Sequence, residues 1–335
     1  MTIETSDWID FFPHTSEGIR PLQEKAINFI LNRLHEGVEN IFFEGPTGTG
    51  KSFVAYLVAL YFAIVNGWST RFLVPNRFLE DQYVRDFASL GMKQLHSAAH
   101  YCCPTWGSCA VGRGSEIIRT PPKEPAHPDS FATPAATATA VKSSVKCQHQ
   151  DSCPYLKARS EFQAAPIAVT NTAYALTCAR FGHDFVKADL VIFDEAHNLG
   201  NQMCAMFELE IPLRVIDVIP PQGSEYTWLQ SVYRPDIEAQ LKVEIAQLEA
   251  PPRPADIPEL EKEVARLAAK LANIDTLLRS DPRDWAIVRN AHSLLFQPIW
   301  TTNIAPALLG FLSERRLLMS ATFLDQTIHL QTLGL

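Results

Sequence analysis

Eight consecutive residues match a pattern that binds phosphate groups. The pattern G-x-x-x-x-G-K-[ST] is met by Gly45-Pro46-Thr47-Gly48-Thr49-Gly50-Lys51-Ser52, which follows an apolar run and opens a helical pattern. The glycines let backbone N–H groups approach phosphates, and the helix N-terminus adds the positive end of its dipole. We expect Lys51 to reach the β- and γ-phosphates and Ser52 to bind Mg²⁺. The candidate nucleotide-binding residues here are Gly45, Thr47, Gly48, Thr49, Gly50, Lys51 and Ser52.

A second chemical motif, Asp194-Glu195-Ala196-His197, directly follows the apolar run 190–193. A strand would deliver Asp194 to its carboxyl end, where a carboxylate can hold Mg²⁺ through water. Glu195 is then placed to orient and deprotonate an attacking water. An acidic pair after a strand is common by itself, but together with a phosphate loop it predicts ATP hydrolysis. The candidate catalytic residues are therefore Lys51, Asp194 and Glu195.

The elements that would position these motifs are short apolar runs. Residues 41–43, 71–74, 167–169 and 190–193 predict buried strands, and residues 317–319 predict a fifth. Continuous apolarity without alternation favours a parallel sheet covered on both faces, although a buried helix segment remains an alternative for runs this short. Helical patterns lie between several runs, for example over 21–34 and 52–65. The sequence therefore predicts an α/β core with crossover helices.

Length, composition and charge narrow the class of protein. At about 150 residues per domain, 335 residues suggest about two domains, and 47% hydrophobic with 20% charged residues is typical of globular proteins. The longest apolar run, 53–65, is shorter than the ~20 residues that span a bilayer. Glu4, Asp7 and Asp10 lie where a secretory segment would be basic and then apolar, so we expect a cytoplasmic protein without membrane association. The net charge of −8 argues weakly against bulk attraction to DNA.

Five of the seven cysteines fall between residues 102 and 153. An odd number of cysteines without a secretion signal favours metal ligation over disulfides. The pairs Cys103/Cys109 and Cys147/Cys153 share the spacing C-x₅-C, which is looser than that of zinc ribbons and favours an iron–sulfur cluster. Thiolates also suit zinc. Zinc stays the alternative because three histidines are close in sequence: His96, His100 and His149.

Two further segments interrupt the α/β pattern. Residues 120–140 are rich in Pro, Ala and Thr and predict a surface loop. Apolar residues recur every three or four positions over 237–248 and again over 257–278, and a proline-rich stretch, 251–254, separates the two patterns. This spacing predicts two antiparallel helices joined by a turn.

The motifs together resemble those of the superfamily 2 helicases. Besides the phosphate loop and Asp-Glu-Ala-His, the sequence contains Met319-Ser320-Ala321-Thr322. In that family the Ser-Ala-Thr segment links the nucleotide site to the nucleic-acid site, which implies a coupling role for His197, Ser320 and Thr322. The segment 20–23 lies where the family places its adenine-reading glutamine, which implies an adenine contact for Gln23. The segment 72–77, with Gln82, resembles the one that family members lay along single-stranded DNA.

The cysteines lie between the phosphate loop and Asp-Glu-Ala-His, as they do in the iron–sulfur helicases of the XPD and DinG type. That resemblance implies a [4Fe–4S] cluster on Cys103, Cys109, Cys147 and Cys153, with Cys102 as the alternative first ligand. It also implies a RecA-like P-loop motor domain with a parallel sheet, an iron–sulfur insertion and a helical Arch-like insertion. The implied order is motor 1–95, cluster domain 96–162, motor 163–205, Arch-like domain 206–299 and motor 300–335.

The resemblance implies an ATP-dependent DNA helicase that moves 5′ to 3′ on single-stranded DNA or a forked duplex, with ATP, Mg²⁺ and the cluster as cofactors. The chain ends shortly after Thr322, before the second motor domain that carries the family's arginine fingers. We therefore expect ATP binding but slow hydrolysis unless a second motor domain acts in trans. The alternatives are an ATP- and DNA-binding module that does not hydrolyse ATP alone, and a zinc-bearing, nucleotide-dependent remodelling factor.

Overall fold

The computed structural model describes residues 2–11, 18–97, 100–102, 152–181, 185–216, 219–249, 257–323 and 325–335. The chain forms two compact units. One comprises residues 1–97, 156–200 and 305–335, and the other comprises residues 98–155 and 201–304.

The strands of the described residues are β1 (Asn40–Glu44), β2 (Thr70–Val74), β3 (Lys93–Leu95), β4 (Ile167–Asn171), β5 (Leu190–Phe193), β6 (Leu209–Pro212), β7 (Trp285–Arg289), β8 (Ser293–Pro298) and β9 (Arg315–Ser320). The α-helices are α1 (Pro21–His35), α2 (Lys51–Asn66), α3 (Arg77–Phe87), α4 (Pro154–Ala164), α5 (Thr172–Phe181), α6 (Leu199–Phe207), α7 (Glu225–Trp228), α8 (Arg234–Glu249), α9 (Ile257–Arg279), α10 (Ala305–Leu312) and α11 (Gln326–Leu333). A π-helical segment, Leu229–Tyr233, joins α7 to α8.

The first unit is built on a six-stranded parallel sheet with the order β1-β9-β5-β2-β4-β3. Every residue of β2 and β5 is buried, as the continuous apolar runs indicate for strands covered on both faces. All five predicted strands are confirmed, and so is the α/β class. The sixth strand, β3, was not predicted because it has three residues at the edge of the sheet, of which only Leu95 is buried.

The two predicted crossover helices are confirmed as α1 and α2. Helix α1 begins at Pro21. Proline suits the first turn of a helix because the backbone N–H groups there have no partner within the helix, so the N–H that proline lacks is not needed. The helix α2 begins after Gly50 and ends before Gly67, both of which have a left-handed backbone (φ 81° and φ 68°). Most of α2 is buried, so it packs as a core helix of the first unit.

The second unit contains the predicted helix pair and a small sheet. Helices α8 and α9 pack against each other, and Arg234 on α8 pairs with the buried Asp275 on α9 at 2.6 Å. The proline-rich stretch between them lies outside the described residues, as does the predicted loop 120–140.

The segment 206–299, which was predicted as helical, also contains β6, β8 and β7, which form an antiparallel sheet in that order. These strands are short, and buried residues in β8 do not alternate strictly, so the sequence lacks a clear period of two. Among the described residues, no helix combines the length and the apolarity needed to cross a bilayer.

Candidate functional site

The phosphate loop connects β1 to α2 in the first unit. Gly48 and Gly50 have left-handed backbone angles (φ 80° and 81°), which glycine adopts without steric cost. The N–H of Gly45 donates to the carbonyl of Ser320 in the neighbouring strand β9 at 3.1 Å, which ties the start of the loop to the sheet. The Thr49 hydroxyl donates to a carbonyl within the loop at 2.7 Å. The curve of the loop is therefore fixed by its own backbone and by β9.

Lys51 points into the loop that it follows. Its side chain is buried at 9% exposure, and its Nζ donates to the carbonyls of Gly45 at 2.5 Å and Pro46 at 3.3 Å. A Cβ atom at position 45 would lie 3.2 Å from the Thr49 hydroxyl oxygen and 3.4 Å from Cγ of Lys51. The loop thus keeps a narrow space lined by backbone and one ammonium group, which suits a phosphate.

The N-terminus of α1 also binds the loop. Gln23 Nε2 donates to the carbonyl of Thr49 at 2.9 Å, and Arg20 Nη1 donates to the carbonyl of Gly48 at 3.3 Å. A Cβ atom on Gly50 would collide with Gln23 Nε2. The structure therefore places Gln23 beside the phosphate loop, and its contact with adenine stays a prediction.

Asp194 lies directly after β5 and is buried at 8% exposure. Its N–H donates to the carbonyl of Leu73 in β2 at 2.9 Å, while its carboxylate accepts from the Tyr83 hydroxyl at 2.9 Å and from the N–H of Glu195 at 3.0 Å. Burial raises the pKa of Asp194, whereas the Tyr83 hydrogen bond and nearby Lys51 lower it. The carboxylate is therefore held in place by two donors, and the backbone of Asp194 is tied to β2.

Glu195 is the non-glycine residue in the described ranges with a left-handed backbone (φ 53°, ψ 43°). Such a conformation costs free energy in an L-residue and is concentrated at functional sites. Its side chain is partly exposed, and its Oε2 lies 3.2 Å from His197 Nδ1. The strained residue is thus the one predicted to activate water.

The three predicted coupling residues are brought together. His197 Nδ1 lies 2.8 Å from the hydroxyl of Ser320, which is fully buried. The Ser320 hydroxyl donates to the Thr322 carbonyl at 2.9 Å and accepts from the Thr322 N–H at 3.2 Å. Because a serine hydroxyl has one proton, and that proton goes to Thr322, the hydrogen between His197 and Ser320 belongs to Nδ1.

Two residues of the site were not predicted from the sequence. Tyr83 on α3 donates its hydroxyl proton to Asp194. His329 on α11 lies near His197, and its pKa is lowered by burial and by that histidine. Neither lies in a motif, and each reaches the site only through tertiary packing.

The segment predicted to follow single-stranded DNA is only partly accessible. Its first half, residues 72–74, is fully buried in β2. The exposed part begins at Asn76, whose side chain caps α3 by accepting from the N–H of Leu79, and continues through Arg77 and Phe78. Gln82 is partly buried on the same helix.

Most of the predicted cluster ligands lie outside the described residues, namely Cys103, Cys109 and Cys147. Cys153 is described and buried immediately before α4, and Cys102 is exposed. His96, a ligand of the zinc alternative, is paired with the buried Glu80 at 2.5 Å, while His149 is not described. Across the described ranges, no three His, Cys, Asp or Glu side chains are grouped to hold a metal ion.

Two family models match the sequence. "Type III restriction enzyme, res subunit" (ResIII) matches residues 17–119, and "DEAD_2" matches residues 114–216. No protein with a curated description matches the chain.

Among solved structures, one described as "XPD_Helicase" is similar over 95% of this chain and 61% of its own, at 15% identity and a TM-score of 0.53. One described as "Truncated XPD" is similar over 94% of this chain and 97% of its own, at 15% identity and a TM-score of 0.48. The structure of Xpd4 from S. tokodaii is similar over 90% of this chain and 57% of its own, at 13% identity and a TM-score of 0.45.

The chain spans 61% of the length of the XPD helicase whose fold it shares. The two family models together cover residues 17–216, and the likeness to the XPD helicase structure, at 15% identity, is one of fold.

Proposed function

We propose that this chain is the nucleotide-binding motor part of an ATP-dependent DNA helicase that moves 5′ to 3′ along single-stranded DNA. The observation that carries the proposal is the position of three motifs on three adjacent strands. The phosphate loop follows β1, Ser320 ends β9 and Asp194 follows β5, and these strands are neighbours in the order β1-β9-β5. Parallel strands present their carboxyl ends at one edge of the sheet, where nucleotides bind in open α/β folds.

The proposed nucleotide roles follow from these positions. The loop residues Gly45, Thr47, Gly48, Thr49 and Gly50 would bind phosphates through their backbone, and the Lys51 ammonium would leave its loop carbonyls to bind the β- and γ-phosphates. Ser52 and Asp194 would hold Mg²⁺, which when bound would neutralise charge on those phosphates. Gln23 would contact the adenine from its place beside the loop.

Glu195 and the coupling residues have separate proposed roles. Glu195 would accept a proton from the attacking water, since its carboxylate is partly exposed next to the buried Asp194. His197, Ser320 and Thr322 would transmit the state of the nucleotide site to bound nucleic acid, because their hydrogen bonds join the segment after β5 to the segment after β9.

The remaining parts of the proposal concern the insertions. Cys103, Cys109, Cys147 and Cys153 would hold a [4Fe–4S] cluster, with zinc as the alternative metal. The thiolate set suits either metal, and Cys153 is buried where a ligand would be shielded from water. We also propose the division into motor, cluster and Arch-like parts that the sequence predicts: 1–95, 96–162, 163–205, 206–299 and 300–335.

ATP hydrolysis by the purified 335-residue chain, with and without single-stranded DNA, tests the proposed activity. We expect slow turnover that rises with DNA in the natural sequence and is abolished in Lys51→Ala, because that variant loses the ammonium group in the loop. Equal, measurable turnover by the two proteins would contradict the proposal. ATP binding without DNA-stimulated turnover would favour a nucleotide- and DNA-binding module that needs another motor part for hydrolysis.

Metal analysis after anaerobic purification tests the cluster. We expect a brown protein containing iron and acid-labile sulfide, and Cys103→Ser should release the iron while ATP binding is largely kept. The matched control is Cys178→Ser, since Cys178 is a buried cysteine of α5 outside the predicted ligand set. A colourless protein containing zinc would contradict the cluster and favour the zinc alternative. Unchanged iron in Cys103→Ser would refute the choice of Cys103 as a ligand.

A further inference from the structure

A buried tyrosine contacts the aspartate that we propose to bind Mg²⁺. Tyr83 is on α3, is 2% exposed, and donates its hydroxyl proton to Asp194 Oδ2 at 2.9 Å. The N–H of Glu195 donates to the other carboxylate oxygen, Oδ1, at 3.0 Å. Each oxygen of the Asp194 carboxylate therefore accepts one hydrogen bond from the protein, and the two bonds together fix its orientation.

The direction of the hydrogen bond between Tyr83 and Asp194 follows from the number of protons. An ionised carboxylate only accepts, so the single hydroxyl proton of Tyr83 goes to Asp194. A carboxylate has about four lone-pair sites, so lone pairs remain on both oxygens for a cation.

The ring of Tyr83 is fixed by aromatic neighbours. Its centroid lies 5.3 Å from that of Phe72 on β2 and 5.8 Å from that of Phe87 on α3. Phe87 stacks in turn on Tyr56 of α2, with centroids 4.4 Å apart and planes 5° from parallel. Because the ring packs against both Phe72 and Phe87, its hydroxyl is held at one position beside Asp194.

We infer that Tyr83 is a positioning residue for the magnesium site, holding the Asp194 carboxylate in its metal-binding orientation before nucleotide arrives. The inference rests on the proposed nucleotide site. Preorganised ligands need no rearrangement when the cation binds, so the loss of the Tyr83 hydroxyl weakens the binding of Mg²⁺ more than that of the nucleotide itself.

The test measures binding of a fluorescent ATP analogue to the purified chain while Mg²⁺ is titrated, and again in EDTA. Tyr83→Phe keeps the ring and removes only the hydroxyl. We expect it to raise the Mg²⁺ concentration for half-maximal binding about tenfold or more, as for a lost hydrogen bond to a charged group, and to leave binding in EDTA unchanged. The matched control is Tyr56→Phe, whose hydroxyl donates to the Leu90 carbonyl instead, and it should behave like the natural sequence.

A folding defect is separated from the positioning role by a double-mutant cycle with Asp194→Asn. If Tyr83 acts through Asp194, adding Tyr83→Phe to Asp194→Asn changes the Mg²⁺ dependence little. An equal additional loss in that background would overturn the inference, and so would an unchanged Mg²⁺ requirement in Tyr83→Phe alone. If the natural sequence itself shows no Mg²⁺-dependent binding, the proposed nucleotide site fails instead.

Discussion

Replacing Ser320 with alanine should uncouple the nucleotide site from nucleic acid while sparing nucleotide binding. The hydroxyl makes three hydrogen bonds, one with His197 Nδ1 and two with the backbone of Thr322. Each is worth about 0.5–1.5 kcal/mol net. Because His197 and Thr322 are exposed and water can replace part of these bonds, we expect the unfolding free energy to fall by about 1–2 kcal/mol.

The functional effect should be larger than the loss of stability suggests. The backbone carbonyl of Ser320, which accepts from the Gly45 N–H, is kept in the alanine variant, so the phosphate loop keeps its tie to β9. We therefore expect ATP affinity to be nearly unchanged. DNA stimulation of ATP turnover should fall about tenfold, the size of a typical coupling between two sites.

Urea denaturation, ATP-analogue binding and ATP turnover with and without single-stranded DNA measure these three quantities. The matched control is Ser313→Ala, because Ser313 is also fully buried and its hydroxyl accepts only from the Arg315 N–H among the described residues. The control should lose stability but keep DNA stimulation. Full DNA stimulation in Ser320→Ala, or an equal loss in both variants, would refute the coupling role.

Two further predictions concern the loop and the half-buried His329. Gly50→Ala should destabilise the protein by the ~1–2 kcal/mol expected for a left-handed alanine and should weaken ATP binding, because its Cβ displaces the flexible end of Gln23 from the Thr49 carbonyl. Gly67→Ala, with open space around it, should show the same backbone cost and normal ATP binding. The pKa of His329 is lowered in the folded protein, so the unfolded state binds more protons and stability should fall as the pH drops below about 6.5. His329→Phe keeps a ring between Phe42 and Phe323 and should flatten that dependence in urea denaturation; an unchanged slope would contradict the assignment.

The sheet was predictable because its strands are continuous apolar runs with helical patterns between them. Burial on both faces leaves a strong signal, as in β2 and β5. The edge strand β3 is too short to show such a run of apolar residues. Strands β6, β7 and β8 form a small sheet in a segment whose clearest sequence pattern is helical. In that segment, long amphipathic helices dominate the sequence pattern, whereas short antiparallel strands leave only weak alternation.

The motif residues of the site were also predictable, since phosphate chemistry restricts both residue type and spacing. Their supporting residues were not. Tyr83 is 111 positions away from Asp194 in the sequence. A tyrosine on the apolar face of a helix is typical of a core residue, so the sequence alone gives no sign of this contact. The contact of Gln23 with the loop carbonyl likewise depends on how α1 packs beside the loop. No local sequence pattern indicates that packing.

Equilibrium binding of an ATP analogue in the presence of Mg²⁺, measured on the natural chain and on Lys51→Ala, tests the central claim most directly. Lys25→Ala is a suitable control, since Lys25 is an exposed lysine on α1 of the same unit. The account predicts binding by the natural chain and by the control, and affinity weakened roughly 10- to 100-fold in Lys51→Ala. Equal affinity in all three proteins would show that the loop from Gly45 to Ser52 is not the nucleotide site.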